Sequence, residues 1–187
     1  MLRLATGFLI GALAASAAWS QTYLGLSVGQ ATFKNACGDA RSVTCTSSDT
    51  NFKVLAGYQA TQTLGFEAGY TELGSVDASS GEHAQLTAFD FSGIISWPVT
   101  NRAALLARLG AFRGSMDVSG TPAAPLTPAA GWLSGHIWNA TFGFGASYEM
   151  SHNAGFRAEW QRLKNFGGAA GPKFNVDVLA LSALLRF

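Results

Sequence analysis

The chain has 187 residues, with 12 lysines and arginines against 11 acidic residues, for a net charge of +1. Only 12% of its residues are charged while 48% are hydrophobic, against the about 25% charge of an ordinary soluble domain. That balance argues against a nucleic-acid binder, which needs a clustered basic face, and the length suits one domain.

The first element is an export signal. Arg3 precedes an apolar run over residues 4–15, and small residues follow at Ala15, Ser16, Ala17, Ala18 and Ser20. A basic start, a short apolar middle and an A-x-A-like site describe a secretory signal peptide. The run is too short to span a bilayer as a helix, which takes roughly 20 residues. Residues 1–20 are read as the signal, with cleavage after Ser20 or after Ala17. Arg3 is the one charged residue of that segment, so the remainder carries 11 basic and 11 acidic residues and no net charge.

Eight segments then alternate with period two, the mark of a strand with two different faces. Leu24, Leu26 and Val28 alternate with Gly25, Ser27 and Gly29. Phe52, Val54 and Tyr58 alternate with Lys53, Leu55, Gly57 and Gln59. Leu64, Phe66 and Tyr70 alternate with Gly65, Glu67, Gly69 and Thr71. Phe89, Phe91, Ile95 and Trp97 alternate with Ala88, Asp90, Ser92 and Ser96. Leu105 and Leu109 flank Arg108 and Gly110, and Trp138, Phe142, Phe144 and Tyr148 alternate with Asn139, Gly143, Gly145 and Glu149. Phe156 and Trp160 alternate with Arg157, Glu159 and Gln161, and Leu179, Leu181, Leu185 and Phe187 with Ala180, Ser182 and Arg186.

One face of each segment is apolar and aromatic, and the other is rich in glycine and serine. Eight strands of roughly ten residues suit a tilted bilayer crossing. The fold expected is all-β: an eight-stranded antiparallel up-and-down transmembrane β-barrel, formed by residues 21–187 as one domain. Its interior is narrow, so small inward residues make room for a few long ones.

The connections alternate in length. Those at 60–63, 98–102 and 151–154 are short, and those at 35–50, 72–85, 117–135 and 165–172 are long. Short periplasmic turns and long external loops are the habit of outer-membrane barrels. Cys37 and Cys45 both fall in the first long loop of an exported chain, which points to a disulfide.

Catalysis has thin support. His83, His136 and His152 each lie near a serine: Ser79 and Ser80, Ser134, and Ser151. His83 and His136 could share the outer rim with Asp117, where a lipid-active triad would need a nucleophile, a base and an orienting acid. Serine is abundant and a surface histidine is usually solvated, so the expectation is no enzyme. No Walker, Rossmann, zinc or EF-hand pattern occurs, and no cofactor or metal site is read.

The residues resemble those of the OmpA-like outer-membrane barrel family. The likeness lies in YLGLSVGQ at 23–30, FKVLAGYQ at 52–59 and LGFEAGYTELG at 64–74. It continues through ISWPV at 95–99, ALLARLGA at 104–111, FGFGASYEM at 142–150, FRAEWQRL at 156–163 and the final LSALLRF. The resemblance implies a cell outer-membrane location in a Gram-negative envelope. Larger members carry a C-terminal domain that binds peptidoglycan. Here the sequence stops at the last strand, so a cell-wall tethering role is not carried over.

By parity Glu67, Asp90, Arg108, Glu149, Arg157 and Glu159 point into the lumen. Charges in so narrow a space must pair, because isolated ones lose their hydration without return. The expected cluster is Glu67, Arg108, Arg157 and Glu159, and the resemblance implies a similar cluster that closes the interior. It reads as a satisfied polar plug or as a gate with alternative pairings. Phe187 ends an alternating strand, and in outer-membrane barrels such a C-terminal aromatic resembles the signal read by the barrel-assembly machinery. The partners implied are outer-membrane lipid and lipopolysaccharide, that machinery with periplasmic chaperones, and host or surface ligands at the loops.

Three functions follow: a structural barrel that presents loops, a narrow gated channel, or, least supported, an outer-rim lipid-modifying enzyme.

Overall fold

The alternating pattern closes on itself. In the computed structural model, which describes residues 22–34, 48–77, 83–119, 138–166 and 174–187 (of 76–77, 83–84 and 116–119 the backbone alone), eight strands follow one another around the wall. They are β1 Thr22–Lys34, β2 Ser48–Gln59, β3 Leu64–Asp77, β4 His83–Pro98, β5 Ala103–Ser119, β6 Asn139–Glu149, β7 Ala154–Phe166 and β8 Phe174–Arg186. Each pairs antiparallel with its neighbour, and β8 returns to β1 to close the barrel. Closure leaves no open sheet edge, the condition for a strand structure in hydrocarbon.

The burial pattern is inverted relative to a water-soluble protein. Leu109 is 72% exposed, Leu26 66% and Leu179 64%, while Glu67, Asp90 and Arg108 are buried. Outward apolar residues run from Leu24 to Val28 on β1, Phe52 to Tyr58 on β2 and Phe156 to Trp160 on β7. So large a continuous apolar surface is stable against lipid and not against water. Toward the long-loop end the band gives way on β1, β2, β3, β5 and β7 to polar residues in the outward positions, at Gln30, Thr50, Glu72, Arg113 and Arg162.

The three short turns share one device. Ala60, Val99 and Met150 donate backbone bonds to the carbonyls of Leu64, Ala103 and Ala154. In each turn a hydroxyl then accepts the backbone N–H three residues on: Thr61 from Leu64 at 2.9 Å, Thr100 from Ala103 at 2.9 Å and Ser151 from Ala154 at 3.1 Å. Serine and threonine stabilise turns by this local bonding.

Three expectations need correction. The strands run 11 to 17 residues rather than about ten, because β4 and β5 rise well above the apolar band. The connection expected at 72–85 is mostly strand, paired as far as Asp77 with His83. The chain crosses Gly74 without ending the ladder, through a register shift between Glu72 and Gly74 where Gly74 takes φ 93. Asp49 on β2 fixes that bulge by accepting from Ser75 N at 2.6 Å. Asn165, expected in the fourth loop, likewise belongs to β7, at φ 55 beside a second register shift.

The interior is the third correction. Its inward face is not uniformly small and polar. At the long-loop end Ala31, Phe33, Leu73, Leu86, Phe112, Leu163, Phe166, Phe174 and Val176 form a buried apolar layer. Phe166 stacks on Phe112 at 5.6 Å and meets Phe174 at a tilt at 5.4 Å, and Phe174 meets Phe33 edge-on. Near the short-turn end a smaller layer joins Tyr23, Leu55 and Leu184.

Candidate functional site

Between the two apolar layers lies the ionic layer. Six charged side chains converge from five strands: Lys53 of β2, Glu67 of β3, Asp90 of β4, Arg108 of β5, and Arg157 and Glu159 of β7. Each strand brings its charge inward because its neighbours in sequence, such as Phe66 beside Glu67 and Leu109 beside Arg108, face outward.

Arg108 is the hub. Its Nη2 donates to Glu67 Oε1 at 3.0 Å and its Nη1 to Asp90 Oδ2 at 3.0 Å. Its Nη2 also donates to Glu159 Oε2 at 3.3 Å, while its Nε lies 2.8 Å from Glu159 Oε1 as an ion pair without a hydrogen bond. Arg157 Nη1 donates to Glu67 Oε1 at 2.8 Å and lies 3.8 Å from Glu159 Oε2. Its guanidinium also rests over the Tyr23 ring at 5.7 Å. Lys53 Nζ donates to Asp90 Oδ1 at 2.7 Å and to Gln161 Oε1 at 3.3 Å, and Gln161 in turn donates to Thr141.

Three cations face three carboxylates, so the layer is neutral. Buried ion pairs hold only when geometry and extra hydrogen bonds offset the lost hydration, and here most charged groups have two or more partners. Gly69 is part of that fit. A Cβ there would collide with Lys53 Cε and come within 3.1 Å of Asp90 Oδ1.

The structure brings together Glu67, Arg108, Arg157 and Glu159. It adds Asp90, which sequence parity had pointed inward without joining it to the cluster. It adds Lys53, whose place between outward Phe52 and Val54 was a signal left unused. Glu149 instead sits half-exposed at the short-turn mouth, paired with Arg186. That mouth opens into a vestibule of about 540 Å³ lined by Tyr23, Gln59, Ser96 and Glu149.

The remaining sites divide. Phe187 faces outward, and its N–H donates to Thr22 O at 3.0 Å where β8 meets β1. His152 is exposed in a short turn. Cys37, Cys45, His136, Ser79, Ser80 and Ser134 lie outside the described residues, as do the side chains of His83 and Asp117. Among the described residues no group of three His, Cys, Asp or Glu is placed to hold a metal.

Comparison with known proteins adds the kinship. The OmpA-like transmembrane domain matches residues 17–187. The chain belongs to that family. It is 30% identical over 142 residues, 70% of its length, to outer membrane protein A of Yersinia pseudotuberculosis, and it spans 38% of that relative. The crystal structure of Neisserial surface protein A aligns with a TM-score of 0.54 at 17% identity, covering 89% of this chain and 97% of that one. Ail, the attachment invasion locus protein of Yersinia pestis, solved in complex with the heparin analogue sucrose octasulfate, aligns with a TM-score of 0.50 at 14% identity, covering 89% and 99%. At those identities the two structures show the fold alone, the closed β-barrel described above.

Proposed function

We propose that this OmpA-like protein is a closed structural barrel of the outer membrane that presents its long loops to the outside. Residues 1–20 serve as the export signal, the short turns and Phe187 face the periplasm, and Phe187 marks the chain for the barrel-assembly machinery. The observation that carries this reading is the double closure of the lumen. The ionic layer is cross-linked by Arg108, and the aromatic layer of Phe33, Phe112, Phe166 and Phe174 lies beyond it. An ion that passed the first would still meet a dry apolar barrier, the kind that blocks conduction by dewetting. Ligands of the envelope exterior would then act at the loops. The structure of Ail in complex with the heparin analogue sucrose octasulfate supports this reading.

A narrow channel is the second reading. Arg108 reaches three carboxylates and Arg157 two, so the layer has alternative pairings of similar reach. No residue is assigned a catalytic role. Single-channel recording on refolded protein in planar bilayers separates the readings. A silent wild type and a silent Arg108→Ala variant support the closed barrel. Discrete ion currents from the wild type, or from Arg108→Ala alone, overturn it in favour of the channel.

A further inference from the structure

The short-turn mouth is a blind vestibule. Its volume is about 540 Å³, and Tyr23 lines its inner end, packed with Leu55 and Leu184 in front of the ionic layer. In this closed form it holds what enters and does not pass it on. The apolar band reaches right to its rim. Val99 and Met150, in the second and third short turns, are 63% and 60% exposed, and Trp97, Tyr148 and Phe187 face outward beside them. Bilayer hydrocarbon therefore extends to the level of the turns, and the vestibule opens into the layer of lipid headgroups.

Two opposite charges stand side by side on that rim. The carbonyl of Arg102, at the end of the second turn, accepts the backbone N–H of Glu149 at 2.7 Å, and both residues line the vestibule. Arg102 N donates to Thr100 Oγ1 at 3.2 Å, which holds the turn in place. Among the described residues no carboxylate pairs with Arg102, and Glu149, which takes Arg186 on Oε1, has no partner on Oε2. Gln59 and Ser96 add an amide and a hydroxyl to the same wall. The vestibule thus offers an unpaired cation and an open carboxylate oxygen to one ligand.

We infer that the vestibule seats the phosphoethanolamine headgroup of a phospholipid from the leaflet on the short-turn side. Arg102 takes the phosphate, since a guanidinium forks two N–H groups onto two phosphate oxygens. Glu149 Oε2 takes the ammonium, which offers three N–H donors as a lysine does. The acyl chains lie back along Val99 and Met150. A choline headgroup has no N–H for Glu149 and would need an aromatic face instead. Among the described lining residues the one ring is Tyr23, which already carries the Arg157 guanidinium at 5.7 Å. A glycerol headgroup brings phosphate without an ammonium and leaves Glu149 facing negative charge. The free headgroup has the same chemistry, but only the lipid brings chains for the apolar rim to hold. The inference needs the barrel to lie in a bilayer and does not need the lumen to be closed. Current through the lumen would leave it intact, and loss of lipid selectivity would leave the closed lumen intact.

The test places the full barrel in phosphatidylcholine discs doped with equal amounts of phosphatidylethanolamine and phosphatidylglycerol, and reads the retained lipid by native mass spectrometry. The wild type is expected to keep phosphatidylethanolamine over both others. Glu149→Gln should lower that preference about fivefold, the scale of one exposed ion pair, without loss of phosphatidylglycerol. Arg102→Gln should weaken retention of the ethanolamine and glycerol lipids alike, and Arg102→Lys should restore most of it. Lys164→Gln, at the long-loop end of β7, should change nothing. Heat-modified gel migration shows that each variant is a folded barrel. Preference for phosphatidylglycerol, equal retention of phosphatidylcholine, or an unchanged preference in Glu149→Gln would overturn the site. Displacement of the lipid by an equal concentration of glycerophosphoethanolamine would assign the seat to a free solute and overturn the lipid.

Discussion

Glu67 on β3 and Arg108 on β5 meet at 3.0 Å inside the lumen, although 41 positions separate them in the chain. Glu67 also holds Arg157 from β7, so one carboxylate ties together three parts of the wall. Glu67→Gln leaves two buried guanidiniums short of a partner. Breaking such a pair from one side costs about 3–5 kcal/mol. The expected outcome is a lower urea midpoint for the refolded barrel, with the strand content of the spectrum unchanged.

The apolar layer should be the second lock on the lumen. Phe112 is fully buried and stacks on Phe166. Phe112→Ala should destabilise by about 3–5 kcal/mol through the cavity it leaves. Joined to Arg108→Ala it should yield current in planar bilayers where Arg108→Ala by itself stays silent. Silence of the double variant would mean that closure lies elsewhere.

Gly74 should be intolerant of a side chain. It sits at φ 93, and an added Cβ would lie 2.5 Å from Asp49 Oδ2. Gly74→Ala both strains the backbone and pushes Asp49 off Ser75, for a loss of about 1–3 kcal/mol. Asp49→Ala should reproduce part of it. Unfolding midpoints of the two variants and their double test whether they share one cause.

Cys37 and Cys45 should be joined in the exported protein. The bond would close a loop of about nine residues and stabilise it by about 2–3 kcal/mol in the chain-entropy account. Intact-mass analysis after alkylation should find no modified thiol until a reductant is added. Two alkylated cysteines without reductant would exclude the bond.

Phe187 should matter more for assembly than for stability. Its side chain is exposed and its backbone completes the seam between β8 and β1. Phe187→Ala should cut the heat-modifiable, membrane-assembled fraction in cells severalfold. The urea midpoint of protein refolded in detergent should barely move. A matched loss in both would make the residue a structural anchor alone.

The sequence by itself determined the barrel. Leu24, Leu26 and Val28, or Phe66 and Tyr70, fix which side of a strand meets lipid, because side chains alternate with a period of two and a slip of one residue would reverse both faces. The same parity placed Glu67, Arg108, Arg157 and Glu159 inside, and the turn residues at 60–63 placed the short connections. Partner choice was not written there. Parity says that Lys53 faces inward but not that Asp90, two strands away, is at its height. That depends on the stagger of neighbouring strands, which runs unbroken from the short turns through this layer and shifts only beyond it, at the Gly74 and Asn165 bulges. The aromatic layer was hidden for the same reason. Phe166 falls in a segment that composition reads as loop, Phe33 and Phe174 lie at strand ends, and closure of the wall brings them together with Phe112 into one plug. Strand faces are a local property of the chain, whereas contacts across a lumen exist only once eight strands have agreed on a register.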